Sequence, residues 1–191
     1  SETGVIELGP RLARAMDVTP DGQRLLVADH EGTVHVWNLA EERLEREIVV
    51  AEGDAIEALA ISPDGRTVAF GGWGRAVRIA EIESGRVLGT GRDHAGAIFD
   101  LAWLPDGSRL LSAGGSTVRI WEPELMEMVG VLDGHEQQVM RLAVAPQSNV
   151  VLSGGDEGRL RQWRLPAVPP RHVPATPLLV DRDDATTSGA G

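Results

Sequence analysis

Histidine and serine recur together at two places in the sequence, a combination that can supply the base and the nucleophile of a hydrolase. His94 is followed by Ser112, and His135 is followed by Ser153, with the same separation in both cases. A serine nucleophile also needs an exposed site and donors that stabilise an oxyanion. Because the two pairs lie at equivalent positions, we interpret them as structural and predict no catalytic residue.

A second group of chemically capable side chains lies near the N-terminal end, where carboxylates alternate with imidazoles. It contains Asp29, His30, Glu31 and His35. His30 lacks a second imidazole at a helical or zinc-site spacing. The position of His35 is occupied by arginine in the later repeats, which indicates a generic polar position. We therefore predict no metal site and no cofactor.

The composition narrows the class of protein. The chain has 191 residues, no cysteine, 18 basic residues that are all arginine, and a net charge of -11. This acidity would repel a phosphate backbone, so we expect no nucleic-acid partner. No apolar run reaches the roughly 18 residues of a membrane span, so we expect no membrane partner. The lack of cysteine favours a cytoplasmic location, and the arginine-rich composition suggests a bacterial source.

Two markers repeat in one register along the chain. Pro-Asp-Gly occurs at 20–22, 63–65 and 105–107, and Pro146-Gln147-Ser148 is a degenerate fourth copy. The second marker is tryptophan, at positions 37, 121 and 163, with Ala80 in the second copy. Each tripeptide follows an apolar stretch, and its proline and glycine suit a tight reversal between two strands. The pattern predicts four short strands in each unit, as in propeller blades.

These features resemble the WD-repeat family. The resemblance rests on Gly134-His135, on the Pro-Asp-Gly turns, and on the strand ends Val36-Trp37-Asn38 and Ile120-Trp121-Glu122. It runs from about Gly4 to Leu165, although no copy has a true Trp-Asp pair. The resemblance implies an all-β propeller with four blades in this chain, as part of a ring of seven or eight.

The resemblance also implies a buried relay of histidine, serine and tryptophan that is completed by an acidic residue. Two repeats retain these residues, in the sets His94, Ser112, Trp121 and His135, Ser153, Trp163. The acidic position falls on Gly115 in one and Glu157 in the other. The first two repeats have Gly9 and Glu52 for histidine and Val27 and Phe70 for serine. We expect apolar packing there, with Phe70 filling the volume that Ala80 leaves empty.

Partners of this family usually bind the face formed by the loops between second and third strands and by the connections between blades. In this chain, the candidate contact residues on these loops are Trp73, Arg75, His30, Glu31, Asp156 and Glu157. Trp73 lies between two glycines, and exposed Trp and Arg are enriched at interface hot spots. The alternative is that Trp73 folds over its own blade and covers a gap.

The predicted organisation has six segments. Residues 1–10 form the last strand of a preceding blade or a ring-closing strand, and the four blades follow at 11–48, 49–91, 92–132 and 133–166. Residues 167–191 form a proline-rich tail that is extended or disordered. Four blades leave the ring open. It could be completed by further blades of a parent protein, by a second copy of the chain, or by closure of a four-bladed ring.

The sequence therefore predicts a protein–protein interaction scaffold that belongs to a larger regulatory or signalling protein, with a protein or peptide partner. One alternative is a purely architectural role, in which the blades only complete an assembly. An enzyme with a site in the central funnel is less favoured, because no acid–base or metal groups converge on the loops.

Overall fold

The structure is a computed structural model that describes residues 5–6, 13–49, 54–146 and 149–166. This part of the chain contains strands and turns but no helix. The strands are β1 (Ala13–Val18), β2 (Arg24–Asp29), β3 (Thr33–Asn38), β4 (Arg43–Val49), β5 (Ile56–Ile61), β6 (Thr67–Gly72), β7 (Val77–Glu81), β8 (Val87–Gly91), β9 (Ile98–Trp103), β10 (Leu110–Gly114), β11 (Thr117–Glu122), β12 (Glu127–Asp133), β13 (Val139–Val144), β14 (Val150–Gly155) and β15 (Leu160–Arg164).

The strands form four antiparallel sheets, each built from neighbouring strands in chain order. The sheets are β1-β2-β3-β4, β5-β6-β7-β8, β9-β10-β11-β12 and β13-β14-β15. We call them blades one to four. The predicted tail at 167–191 lies outside the described residues, as does most of segment 1–10, of which only Val5 and Ile6 are described and are not in a strand.

Antiparallel pairing gives each blade two distinct ends. The Pro-Asp-Gly turns and the β3–β4, β7–β8 and β11–β12 turns lie at one end, which we call the turn face. The β2–β3, β6–β7, β10–β11 and β14–β15 loops lie at the other end with the connections between blades, and we call this the loop face.

The first strands of the blades, β1, β5, β9 and β13, lie next to one another. Side chains link them across the blade boundaries. Asp17 Oδ2 accepts a hydrogen bond from the Ile61 N–H at 2.9 Å, and Asp100 Oδ2 accepts one from the Leu142 N–H at 2.7 Å. Between β5 and β9, the indole N–H of Trp103 donates to the Ala60 carbonyl at 3.1 Å.

The core is divided among the blade junctions. Three clusters of buried apolar side chains alternate with the sheets, and each cluster draws on two neighbouring blades. Leu26 and Phe70 share the first cluster, Ile79 and Trp121 the second, and Leu111 and Val151 belong to the third. Each blade therefore buries its apolar faces against its neighbours, as repeat architectures require.

The Pro-Asp-Gly turns are held by the aspartate as well as by the proline. In the first two turns the Oδ1 atom of Asp21 or Asp64 accepts the backbone N–H two residues later, at 3.0 Å in both cases. The turn glycines have positive φ, for example 71° at Gly65, a conformation that side chains disfavour.

Candidate binding face

The third blade contains a closed hydrogen-bonded relay at its loop face. Ser112 Oγ accepts the indole N–H of Trp121 at 2.7 Å and lies 2.6 Å from His94 Nε2. His94 Nδ1 donates to the Gly114 carbonyl at 3.0 Å, so the serine hydroxyl donates to Nε2. The relay joins the β8–β9 connection to β10 and β11, and it thereby fixes the position of this connection.

Burial determines the charge of this relay. His94 is 6% exposed, and Ser112 and Trp121 are 0% exposed. Burial, together with the positive charge of Arg119, lowers the pKa of His94 to about 4. His94 is therefore neutral at pH 7, which matches its place between a hydroxyl and a carbonyl.

The fourth blade contains the same relay with an acidic end. Ser153 Oγ accepts the indole N–H of Trp163 at 2.8 Å and lies 2.7 Å from His135 Nε2. His135 Nδ1 contacts Glu157 Oε1. Burial opposes the ionisation of Glu157, but the hydrogen bonds from His135 and from its own backbone, with the charge of Arg161, lower the pKa of Glu157.

This geometry corrects the prediction that Glu157 is a partner-binding residue. Its side chain is only 6% exposed and points inward, towards His135. A carboxylate held by an internal imidazole cannot meet a partner without breaking that contact. The neighbouring Asp156 is exposed on the β14–β15 loop and stays a candidate.

The first blade has a buried polar pair that sequence reasoning missed. His35 Nε2 lies 2.8 Å from Asp29 Oδ2, and His35 Nδ1 lies 3.2 Å from Glu47 Oε1. Asp29 Oδ1 accepts the backbone N–H groups of Glu31 and Thr33, both at 2.9 Å. Burial opposes its ionisation, but the bonds from His35, Thr33 and Glu31 lower the pKa of Asp29.

Apolar packing was predicted for the relay positions of this blade, and the buried polar pair lies at other positions. His35 is 4% exposed and fixes the β2–β3 loop, as a histidine does for the connection in the third blade. Val27 does occupy the serine position, and the indole Nε1 of Trp37 consequently has no hydrogen-bond partner among the described residues. The signal in the sequence was an aspartate at the end of β2 facing a histidine in β3.

The second blade has an apolar interior at the corresponding positions. Phe70 and Ala80 are both 0% exposed and belong to one buried cluster. A phenyl ring on β6 thus occurs in the blade in which alanine replaces the tryptophan of the third strand. The histidine position, Glu52, lies outside the described residues.

Each first strand carries a β-bulge near the loop face. The pairing with the second strand skips one residue: Ile98 pairs with Gly114 and Asp100 with Ala113, which leaves Phe99 between them. The same slip occurs at the equivalent position of the other three blades, so that the four bulge residues are Arg14, Glu57, Phe99 and Met140. Bulges re-aim side chains, and neither this set nor its contacts were predicted from the sequence.

Trp73 is held by two of these bulge residues and still faces solvent. Its indole N–H donates to Glu57 Oε1 at 2.9 Å, and its ring meets Phe99 edge to face, with centroids 5.9 Å apart. Arg14 Nη2 donates to the same carboxylate oxygen at 2.6 Å. Trp73 is 59% exposed. We call Arg14, Glu57, Trp73 and Phe99 the rim cluster.

The loop of Trp73 depends on its glycines. A Cβ on Gly72 would lie 1.9 Å from the Ala55 carbonyl oxygen, and one on Gly74 would lie 2.3 Å from Asp54 Oδ2. Arg75 has a φ of 58° and is exposed. Trp73 contacts its own blade through Glu57 and the third blade through Phe99, so a packing role for its ring would involve the junction of these two blades.

The remaining candidate residues are exposed on the same face of other blades. His30 and Glu31 lie in the β2–β3 loop, and Asp156 lies in the β14–β15 loop. Within the described ranges, no group of three His, Asp or Glu side chains is placed to hold a metal ion. In the same part of the chain, no helix has the length and apolar character needed to cross a membrane.

The relays offer no site for serine hydrolysis. The hydroxyl oxygens of Ser112 and Ser153 already accept an indole N–H, and these residues are 0% and 1% exposed. A substrate could not reach either oxygen without unfolding the blade.

Four antiparallel blades with shared junctions define a β-propeller protein. A model of the family described as WD domain, G-beta repeat matches residues 11–38, 85–122 and 126–164, which is more than half of the chain. The chain belongs to the WD-repeat family. The matched ranges leave out β4 of the first blade and β5, β6 and β7 of the second blade, in which Ala80 replaces tryptophan.

Curated relatives and solved structures agree with this assignment. The chain is 29% identical over 164 residues to WD repeat-containing protein 97 of Homo sapiens, covering 78% of the chain and 10% of that protein. It is 27% identical over 172 residues to Cell division cycle 20.1, cofactor of APC complex, of Arabidopsis thaliana, covering 83% and 37%. The crystal structure of RRP9 WD40 repeats superposes with a TM-score of 0.79 at 24% identity, covering 85% of the chain and 51% of that structure.

These similarities confirm the predicted family and the all-β propeller fold. The chain spans much less than two thirds of the length of these curated relatives. A complete ring of seven or eight blades stays a prediction, and so do the proposed segment boundaries. The relatives named are eukaryotic and give no support to the predicted bacterial source.

Proposed function

We propose that this chain is a protein-interaction module that holds a protein or peptide partner on its loop face, with Trp73 as the principal contact. The observation that carries the proposal is the exposure of Trp73. Its side chain is 59% exposed although its N–H is bonded to Glu57 and its ring packs against Phe99. A ring that is already oriented loses little conformational entropy on binding. Large aromatic side chains of this kind dominate interface energetics.

The neighbouring charges support a protein partner. Arg14 supplies a guanidinium group that Glu57 holds beside the indole, and Arg75 is exposed two residues after Trp73. The net charge of -11 disfavours nucleic acid, so we propose none as a partner. One relative carries the role of a cofactor of a complex in its name. A cytoplasmic location stays part of the proposal and rests on the lack of cysteine.

The test compares partner binding by two truncations in the loop of Trp73 with binding by a control truncation on the turn face. A partner is first isolated with the wild-type chain, identified and purified, and its affinity is then measured for Trp73→Ala, Arg75→Ala and Leu125→Ala. Leu125 is 69% exposed on the turn face and serves as the matched control. We expect Trp73→Ala to weaken binding by about 30-fold or more, as hot-spot truncations do, and Leu125→Ala to change nothing.

Stability measurements separate this proposal from the packing role. Trp73→Ala should change the melting temperature by less than about 3 °C, because an exposed ring contributes little to the core. A large drop in melting temperature with unchanged affinity would show that Trp73 only covers the junction.

The ring is completed, in this proposal, by further blades of a longer protein or by a second copy. Within the described residues, β15 pairs only with β14. Sedimentation of the isolated chain distinguishes the two sources, since a stable dimer with no other partner would favour the architectural role.

A further inference from the structure

A groove opens on the turn face between the second and third blades. Its volume is about 990 Å³, compared with about 330 Å³ for the corresponding space between the first and second blades. Apolar side chains form part of its lining, with Val87 and Leu88 of β8 on one side and Trp103 of β9 on the other. Val87 is 39% exposed and Leu88 is 45% exposed.

One residue that spans the first junction by an ion pair is replaced by a different residue type at this junction. At the first junction Arg24 Nη2 lies 3.1 Å from Glu83 Oε2 of the second blade. Counted from the Pro-Asp-Gly turn, the equivalent of Arg24 in the second blade is Thr67. A threonine carries no charge, so Thr67 cannot form this ion pair with Glu124, the equivalent of Glu83 in the third blade.

The turns themselves also stand further apart at this junction. A Cβ on Gly65 would lie 3.2 Å from Pro20 Cδ in the first blade. A Cβ on Gly107, the equivalent glycine of the third blade, would meet no atom of the described residues within 4 Å. The second and third turns therefore leave a gap that the first and second turns close.

The third blade departs from the other blades at residues that line this groove. In the others, the residue after the third strand donates its N–H to the preceding turn, as Ile82 does to the Arg66 carbonyl at 2.9 Å. Pro123 occupies this position in the third blade and has no N–H to donate. Trp103, in turn, stands where the other blades have Val18, Ile61 and Val144.

The rim of the groove is negatively charged. Hydrogen bonds, the largest from Ser62 and Ser108 respectively, lower the pKa of Asp64 and of Asp106, so both are ionised at neutral pH. Glu124 adds a third carboxylate to the lining, and Arg86 is its one guanidinium. An apolar floor with an acidic rim complements a cationic ligand that also carries an apolar group.

We propose that this turn-face groove binds a peptide segment of a protein partner in which an apolar side chain stands next to lysine or arginine. The apolar side chain lies against Trp103 and Leu88, and the cationic neighbour pairs with Asp64 or Asp106. The groove and the rim cluster lie at opposite ends of the blades, so the two surfaces are independent and can be tested separately.

The experiment uses the full chain and two fluorescein-labelled probe peptides, Gly-Leu-Arg-Leu-Arg-Gly and Gly-Leu-Glu-Leu-Glu-Gly. Affinity is read by fluorescence anisotropy. The site is read from the indole N–H resonance of Trp103 in ¹⁵N-labelled protein, assigned with Trp103→Phe. We expect the arginine peptide to bind and to shift the Trp103 resonance while the Trp73 resonance stays in place. The glutamate peptide should bind at least about tenfold more weakly.

Matched substitutions separate the groove from general acidity. Asp64→Asn removes one charge and keeps the oxygen that holds the turn, and Asp21→Asn makes the same change in the first blade, away from the groove. We expect Asp64→Asn to weaken the arginine peptide about threefold and the double variant with Asp106→Asn about tenfold, with no change for Asp21→Asn. Leu88→Ser should also weaken binding.

Four results would overturn the proposal. These are no binding of the arginine peptide at about 1 mM, equal binding of both peptides, equal weakening by Asp21→Asn, or a self-association that Leu88→Ser abolishes. The last result would assign the groove to a second copy of the chain. The first three results do not bear on Trp73, so the proposed function stands or falls separately from them.

Discussion

The first and third blades each bury one histidine ring, but they surround it with opposite partners. His35 has a carboxylate oxygen near each ring nitrogen, 2.8 Å away at Asp29 and 3.2 Å away at Glu47. His94 has a hydroxyl at one nitrogen and a backbone carbonyl at the other, and its pKa is lowered to about 4. The difference teaches that one chain can fix the segments of its loop face in two ways: with carboxylates around a histidine, or with neutral hydrogen bonds to a histidine.

Removing the histidine of the first blade should have the largest effect. His35→Leu leaves the buried carboxylate of Asp29 without its imidazole, and we expect a loss of about 4 kcal/mol in the free energy of unfolding. Urea denaturation measures it. His30→Leu, on an exposed neighbouring residue, should cost less than about 0.5 kcal/mol. Equal losses in the two variants would show that the charge-based arrangement contributes nothing.

The third blade should be the one that responds to mild acid. The pKa of His94 falls from 6.5 to about 4 on folding, so the unfolded chain binds more protons between these values. The contribution of His94 to the free energy of unfolding is therefore fully present above pH 6.5. It is lost as the pH falls towards 4, by about 3 kcal/mol in total. Unfolding free energies across this range should fall less steeply in His94→Gln than in wild type, and an unchanged slope would contradict the lowered pKa of His94.

The tryptophans sharpen the same comparison. Trp121→Phe removes the indole N–H that Ser112 accepts and leaves unfilled volume in a fully buried site, for an expected loss of about 2 kcal/mol. Trp37→Phe removes an N–H that has no partner in the described structure, so we expect a loss below about 1 kcal/mol. Urea denaturation of the two variants gives the two losses in the free energy of unfolding. A larger loss at position 37 would contradict the relay as a source of stability.

The smallest effect should come from the acidic end of the fourth relay. Glu157→Ala leaves the Nδ1 atom of His135 without its acceptor, at an expected cost of about 1 kcal/mol. Asp156→Ala, one residue away and exposed, should cost less than about 0.5 kcal/mol. Thermal unfolding of both variants checks this order. A larger loss for Asp156→Ala than for Glu157→Ala would contradict a stabilising contact between Glu157 and His135.

The sequence was sufficient for the repeat architecture, because its markers act locally. Proline and glycine set the turn between the first two strands. A tryptophan recurs in the third strand of three of the four blades. These features need no knowledge of neighbouring blades. The relay residues could likewise be matched by position, since each lies at a nearly constant distance from its turn.

The rest depended on contacts between distant residues. The Asp29–His35 pair escaped because alignment to arginine in the other repeats concealed it. The bulge at Phe99 escaped because a one-residue slip leaves no mark in hydrophobic alternation. The inward direction of Glu157 was settled by backbone geometry, since Gly155 leaves the space that both His135 and Glu157 occupy.

The carboxylate of Glu57 has a mechanical consequence. One of its oxygens accepts from Arg14 in the first blade and from Trp73 in the second, while the Trp73 ring rests on Phe99 in the third. A partner that pulls on the indole therefore distributes the load over three blades instead of peeling one loop from its sheet.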